Sequence, residues 1–271
     1  MLHVKRWSHT LATLTLLALA PAAMAQDVVI RQSQVPTLGR YEARAIVTGT
    51  DMRDRPKGMA QCLSDVLVKV SGNPGLANDP AVAALGAQAG GLLASFDYWD
   101  RMSDFAHHDD QGSYDRPFDL TVRFDPARID DALRQLGQTP WPDPRPVLVP
   151  IIDVQGRSTP FNVTQDESRA EDMRGALFDA EQKYGLTIAV PTTAERTAWR
   201  ATGFPISADR VAVAGSLVYN EAAHGWVAMW HMNWQGRGFD WGVGGVSFDE
   251  AFRVAARGAM AVLSGHGAPR E

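Results

Sequence analysis

Only one short stretch of the sequence has the composition of a metal site, His107-His108-Asp109-Asp110. Imidazole and carboxylate together suit zinc and other divalent transition ions. A closed zinc site, however, needs four ligands held from separated positions. Neighbours on one loop seldom converge, so the competing reading is a polar loop between a helix and the next strand. Cys62 is the only thiol, which excludes an intramolecular disulfide and a cysteine-built zinc site. Its place beside Leu63 on an inward helix surface reads as a small core residue. Asp130-Asp131 and Asp249-Glu250 fall in first helical turns, where carboxylates complement the helix dipole. The chain has no Gly-x-Ser-x-Gly elbow or Ser-x-x-Lys pair, and no His-Glu-x-x-His, P-loop or EF-hand pattern. Gly242-Val243-Gly244-Gly245 is too incomplete for a dinucleotide fingerprint and reads as a bulge or tight turn. No catalytic residue and no cofactor is expected. The enzymatic alternative is a metal-assisted hydrolase built on the His107 to Asp110 loop.

The other unusual pattern is aromatic. Trp226, Ala228, Trp230, Met232 and Trp234 share one parity and line one face of a strand, and Trp241 lies on the next. Such a ladder can stack on sugar rings or receive an apolar partner. It can equally fill a core beneath helices, each tryptophan burying on the order of 200 Å². The second reading carries more weight, because large buried aromatics are commoner than exposed ladders.

These residues need elements to position them. Tyr41 to Thr48 alternates as a strand, and a helix from about Asp54 repeats Met59, Leu63, Val66, Leu67 and Val70 before Gly72. Asp79 to about Met102 is expected to be helical in two pieces, broken near Gly90-Gly91. Phe118 to Phe124 is a second strand, and Asp125-Pro126 opens a short helix ending at Gly137. Pro140, Pro142, Pro144 and Pro146 alternate through 138–146, an extended linker that Trp141 pins onto one side. Beyond it, Val147 to Val154 reads as a buried strand. Capping boxes at Ser168-x-x-Glu171 and Thr192-x-x-Glu195 and the pattern Ser247-x-x-Glu250 start helices. A meander runs through Val211–Tyr219, Trp226–Trp234 and Phe239–Val246. The expected fold is α/β (α+β): a first domain over 26–137, the linker, and a second domain over 147–271 with helices on a mixed sheet.

Lys5-Arg6, the apolar run Leu11 to Ala20, Pro21 and Ala23-Met24-Ala25 form a cleavable export signal over residues 1–25. The run is too short for a comfortable span of about 20 residues. Removing its two basic residues takes the formal charge from −5 to −7, which argues against a nucleic-acid partner. With 45% hydrophobic and 21% charged residues, the composition is that of a globular chain. The expectation is a periplasmic protein that is not an integral membrane protein once cleaved.

Leu67 to Gly72 (LVKVSG), Phe124 to Trp141 (FDPARIDDALRQLGQTPW) and Arg145 to Val149 (RPVLV) resemble a proteobacterial domain of unknown function, family 2066. The resemblance extends to VAVAGSLV, WVAMW and the last helix, and implies an exported two-part protein with no assigned activity. That family has Trp where this chain has Pro150, so the strand there is expected to bend or end early. The second half also looks like the small α/β domain of TolB amino-terminal type envelope proteins. Fold analogy does not fix function. The resulting expectation is a non-enzymatic envelope accessory protein whose partner is another envelope protein or a cell-wall component. Mass spectrometry of the native protein should find a chain beginning at Gln26, and an intact Met1 start would overturn export by cleavage.

Overall fold

The computed structural model describes residues 37–103, 116–205, 207 and 209–267. Strand β1 (Glu42–Thr48) buries Ala43 and Val47 against helix α1 (Arg55–Ser71). Pro56 is tolerated in the first turn of α1, where its missing N–H would have no partner. Met59, Cys62, Leu63, Val66, Leu67 and Val70 recur every three or four residues and are all buried. Gly72 ends the helix in the left-handed conformation at φ 73°, its N–H donating to the Val68 carbonyl at 2.8 Å. Helix α2 (Pro80–Gly86) and a turn at Ala89–Leu92 lead into strand β2 (Leu93–Asp100).

Here the expected helix to Met102 is corrected. Gly90-Gly91 sit in the turn, and the residues after them alternate, with Phe96 and Tyr98 opposite Val122 and Leu120. Pairing with strand β3 (Pro117–Phe124) suits an aromatic-rich run better than a helix does. The first sheet is antiparallel, in the order β1-β3-β2. Asp125 then caps helix α3 (Pro126–Gln135), accepting from the Arg128 N–H at 3.1 Å.

The second half contains β4 (Val147–Gln155), β5 (Phe161–Asn162), α4 (Glu171–Tyr184), β6 (Thr187–Ile188) and α5 (Thr193–Thr202). It ends with β7 (Arg210–Asn220), β8 (Gly225–Trp234), β9 (Arg237–Val246) and α6 (Phe248–Leu263). The sheet is mixed, in the order β5-β4-β7-β8-β9 with β6 also beside β4. β4 runs parallel to β7 and β6, whereas β7, β8 and β9 form the expected meander. The fold is therefore α/β.

Pro150 neither bends nor ends β4. In a parallel ladder the N–H and C=O of one residue face the same neighbour. Val147 donates to Asp209 on the β7 side, while Leu148 and Ile152 accept from Ala189 and Val163 on the other. Pro150 therefore faces that other side, between the stretch paired with β6 and the stretch paired with β5. No ladder bond is lost there. The capping box at Ser168 is also corrected: Ser168–Ala170 is a single tight turn, held where Arg169 donates to Glu167, and α4 starts after it. Thr192 and Glu195 do cap reciprocally, and Ser247 accepts from the Glu250 N–H.

Trp230 packs on Phe252 of α6, and Gly215 opposite it on β7 makes room: a Cβ there would lie 2.2 Å from the indole. Trp230→Ala should cost about 3–5 kcal/mol, as large truncations in cores do. Urea unfolding checks this; a change below about 1 kcal/mol would place the ring outside the core.

Buried residues of both halves form one continuous core, and Thr37–Glu271 is one compact unit. The 138–146 segment docks on the carboxyl end of α1. The Trp141 N–H and Arg145 Nη2 donate to the Val70 carbonyl at 2.8 and 3.3 Å, and Ser264 Oγ donates to the Gly72 carbonyl at 2.7 Å. Arg145 stacks 4.3 Å from the Trp141 ring centre and donates to the Gly185 carbonyl at the end of α4. Lys69 is 1% exposed, and its ammonium donates to the carbonyls of Gly39 and Glu42 at 3.3 and 2.7 Å. Burial pushes it down to about 8. Between that value and the unfolded value of 10.5 the unfolded chain binds more protons, so the stability set by Lys69 rises with pH. Its full size is of the order of 3 kcal/mol. Relative to Lys69→Met, the wild type should gain stability between pH 7.5 and 10 in urea melts; a constant difference would contradict a buried ammonium.

Candidate functional site

A cleft of about 890 Å³ lies beside β1 and is walled by α1, α4 and α6. Ligand clefts commonly span about 300–1,000 Å³. Lys57, Gln61 and Asp65 project from α1 at intervals of four, on the face opposite its core stripe. Asp179 and Lys183 come from α4, and Glu250, Arg253 and Arg257 from the polar side of α6. Two ion pairs lie in the walls. Lys183 Nζ lies 2.9 and 3.0 Å from the two oxygens of Asp65, joining α4 to α1. Arg253 Nε lies 2.7 Å from Glu250. Lys57 and Arg257 have no ion partner among the described residues. Desolvation, and then the nearby Asp249 carboxylate, push Asp179 above the usual carboxylate range. Burial likewise raises the Tyr184 phenol.

The floor of this cleft includes main chain. Phe124 donates to Tyr41 and Gly49 to Arg116, so odd-numbered residues of β1 bond to β3 and even-numbered ones point the other way. The Glu42 carbonyl on that outer edge is taken by Lys69. Ile46 and Thr48 present their N–H and C=O groups along the cleft, without a partner among the described residues.

Charges of both signs do not suit a polyanion. What the arrangement supplies is an edge for main-chain bonding and side-chain charges at fixed positions.

The residues singled out in the sequence lie elsewhere. Trp230 and Trp241 are buried, and the Trp241 indole donates to the Val254 carbonyl of α6 at 3.2 Å. Trp226 and Trp234 are half-buried against the same core. The ladder thus lies on the face that α6 covers. Gly242 passes so close to β8 that a Cβ would sit 2.7 Å from the Ala228 carbonyl, and Gly245 has φ 71° beside a register shift, so these glycines serve a bulge. Cys62 is fully buried and its thiol is pushed up to about 12 by desolvation, as befits a core residue. His107, His108, Asp109 and Asp110 lie outside the described residues. Among the described residues no group of three or more His, Cys, Asp or Glu side chains could hold a metal. None of their helices is long and apolar enough to cross a membrane.

Sequence reasoning missed the cleft. The polar stripe of α1 was visible as the complement of its core stripe, but nothing local showed which helices oppose it.

No curated protein and no solved structure matches the chain significantly. The match to family models is to a different family from the one expected, and it ends before VAVAGSLV, WVAMW and the last helix. Residues 35–142, which carry the first sheet, α1 to α3 and the docked Trp141, match the model of a domain of unknown function, DUF8605.

Proposed function

We propose that this is an exported, non-catalytic accessory protein of the bacterial cell envelope that recognises another polypeptide through the cleft beside β1. One observation carries the reading: among the described residues, an open strand edge lies recessed among side chains of both charges, and two of the cations lack ion partners. Main-chain groups of that kind are satisfied by another main chain. The export pattern over residues 1–25 supports the location. A cell-wall glycan bound on the Trp226, Trp230 and Trp234 face has less support, because α6 packs on that face.

A photo-crosslinking residue replacing Lys57, inside the cleft, should give adducts with an envelope polypeptide in cells. The same residue replacing Arg134, on α3 outside the cleft, should not. Recovery of the protein in the cytoplasmic fraction, or no polypeptide adduct from position 57, would overturn the reading.

A further inference from the structure

We infer that the cleft receives an extended, carboxylate-bearing segment of a partner polypeptide as a fourth strand on the β1 edge of the first sheet. This rests on the interaction reading above and specifies its geometry. Ile46 and Thr48 offer donors and acceptors two residues apart, the repeat of a β ladder. At one end the Lys69 ammonium occupies the Glu42 carbonyl; at the other Gly49, at φ 73°, turns its N–H back to Arg116. The available edge is therefore short, and an added strand has little freedom of register.

Side chains agree with this geometry. Ile46 is 64% exposed and continues a cross-strand row through Asp119 to Trp99, itself 53% exposed. A residue placed beside Ile46 on a new strand would extend that row. Lys57 and Arg257 are cleft cations without an ion partner among the described residues, so they are groups a carboxylate would meet. Asp54 and Asp179 also line the cleft. The segment is therefore one that spaces single carboxylates between neutral residues, and not a polyanion. Exposed edges invite indiscriminate pairing. This one is recessed, so it admits a slender strand and excludes another sheet.

The Ile46 N–H points into the cleft and not to β3, so Ile46→Pro deletes a donor of the open edge while keeping the existing ladder. Ile46→Thr keeps the donor and serves as control. The probes are two labelled, end-blocked octapeptides of alternating Thr and Val, one with two Glu and the other with Lys at those positions, offered to the mature chain. The Glu peptide should bind, slow hydrogen exchange at the Ile46 and Thr48 amides, and lose about tenfold in affinity with Ile46→Pro but not with Ile46→Thr. The Lys peptide should bind about tenfold more weakly. No binding of the Glu peptide at about 1 mM, or unchanged exchange at those two amides, overturns strand addition. So does equal binding by a folded Ile46→Pro variant. Should that variant fail to fold, exchange in the wild type decides. Polypeptide adducts from position 57 that persist in Ile46→Pro would retain the interaction reading and remove strand addition alone, whereas no adduct in the wild type removes both.

Discussion

The carbonyl groups at the carboxyl end of α1 need donors, and the structure is arranged around supplying them. The last carbonyls of a helix have no intrahelical partner and carry the negative end of its dipole. Val68 is satisfied locally by Gly72, but Val70 draws on Trp141 and Arg145 from the proline-rich segment, and Gly72 draws on Ser264 beyond α6. One helix end thus collects the segment between the sheets and the last helix of the second half. Gly72 is needed twice over, for its φ of 73° and because a Cβ would lie 2.5 Å from the Ser264 side chain and 3.0 Å from the Trp141 ring. Arg145 adds a full positive charge at that end while reaching the end of α4 through Gly185.

The cleft is a consequence of this docking. With α1 held at its carboxyl end, its outward stripe faces α4, and Asp65 and Lys183 close the approach between them. A partly exposed ion pair of this kind contributes little to stability. Its value here is positional, because it sets the spacing of two walls. β1 remains an edge strand because α1 covers its face and not its outer side, so the recess follows from the order β1-β3-β2.

Much of this was legible from local sequence. The core stripe of α1, its stop at Gly72, the cap at Asp125 and the meander all follow from periodicity and turn chemistry, which are short-range signals. Leu93 to Asp100 was not legible as a strand, because its alternation becomes meaningful only opposite β3. Pro150 misled for the same reason: its cost depends on which neighbour faces its nitrogen, and the sheet leaves that place open. Ser168 carries a capping pattern, yet Glu167 and Arg169 compete for the turn. The cleft was hardest to foresee, since it sets the consecutive β1 and α1 against α4 and α6, which lie far along the chain.

Lys69 ties the docking hub to the open edge. An apolar residue would suit a site that is 1% exposed, and burying an ammonium is costly unless its donors are used. They are used on Gly39 and Glu42, the turn that leads into β1 and the first residue of that strand. Its stem packs against Gly185, where a Cβ would come within 2.7 Å, so the same side chain touches the end of α4 that Arg145 holds. By occupying the Glu42 carbonyl, the ammonium also ends the available edge on that side. The residue that anchors β1 to α1 therefore also marks where a strand laid along β1 would have to begin.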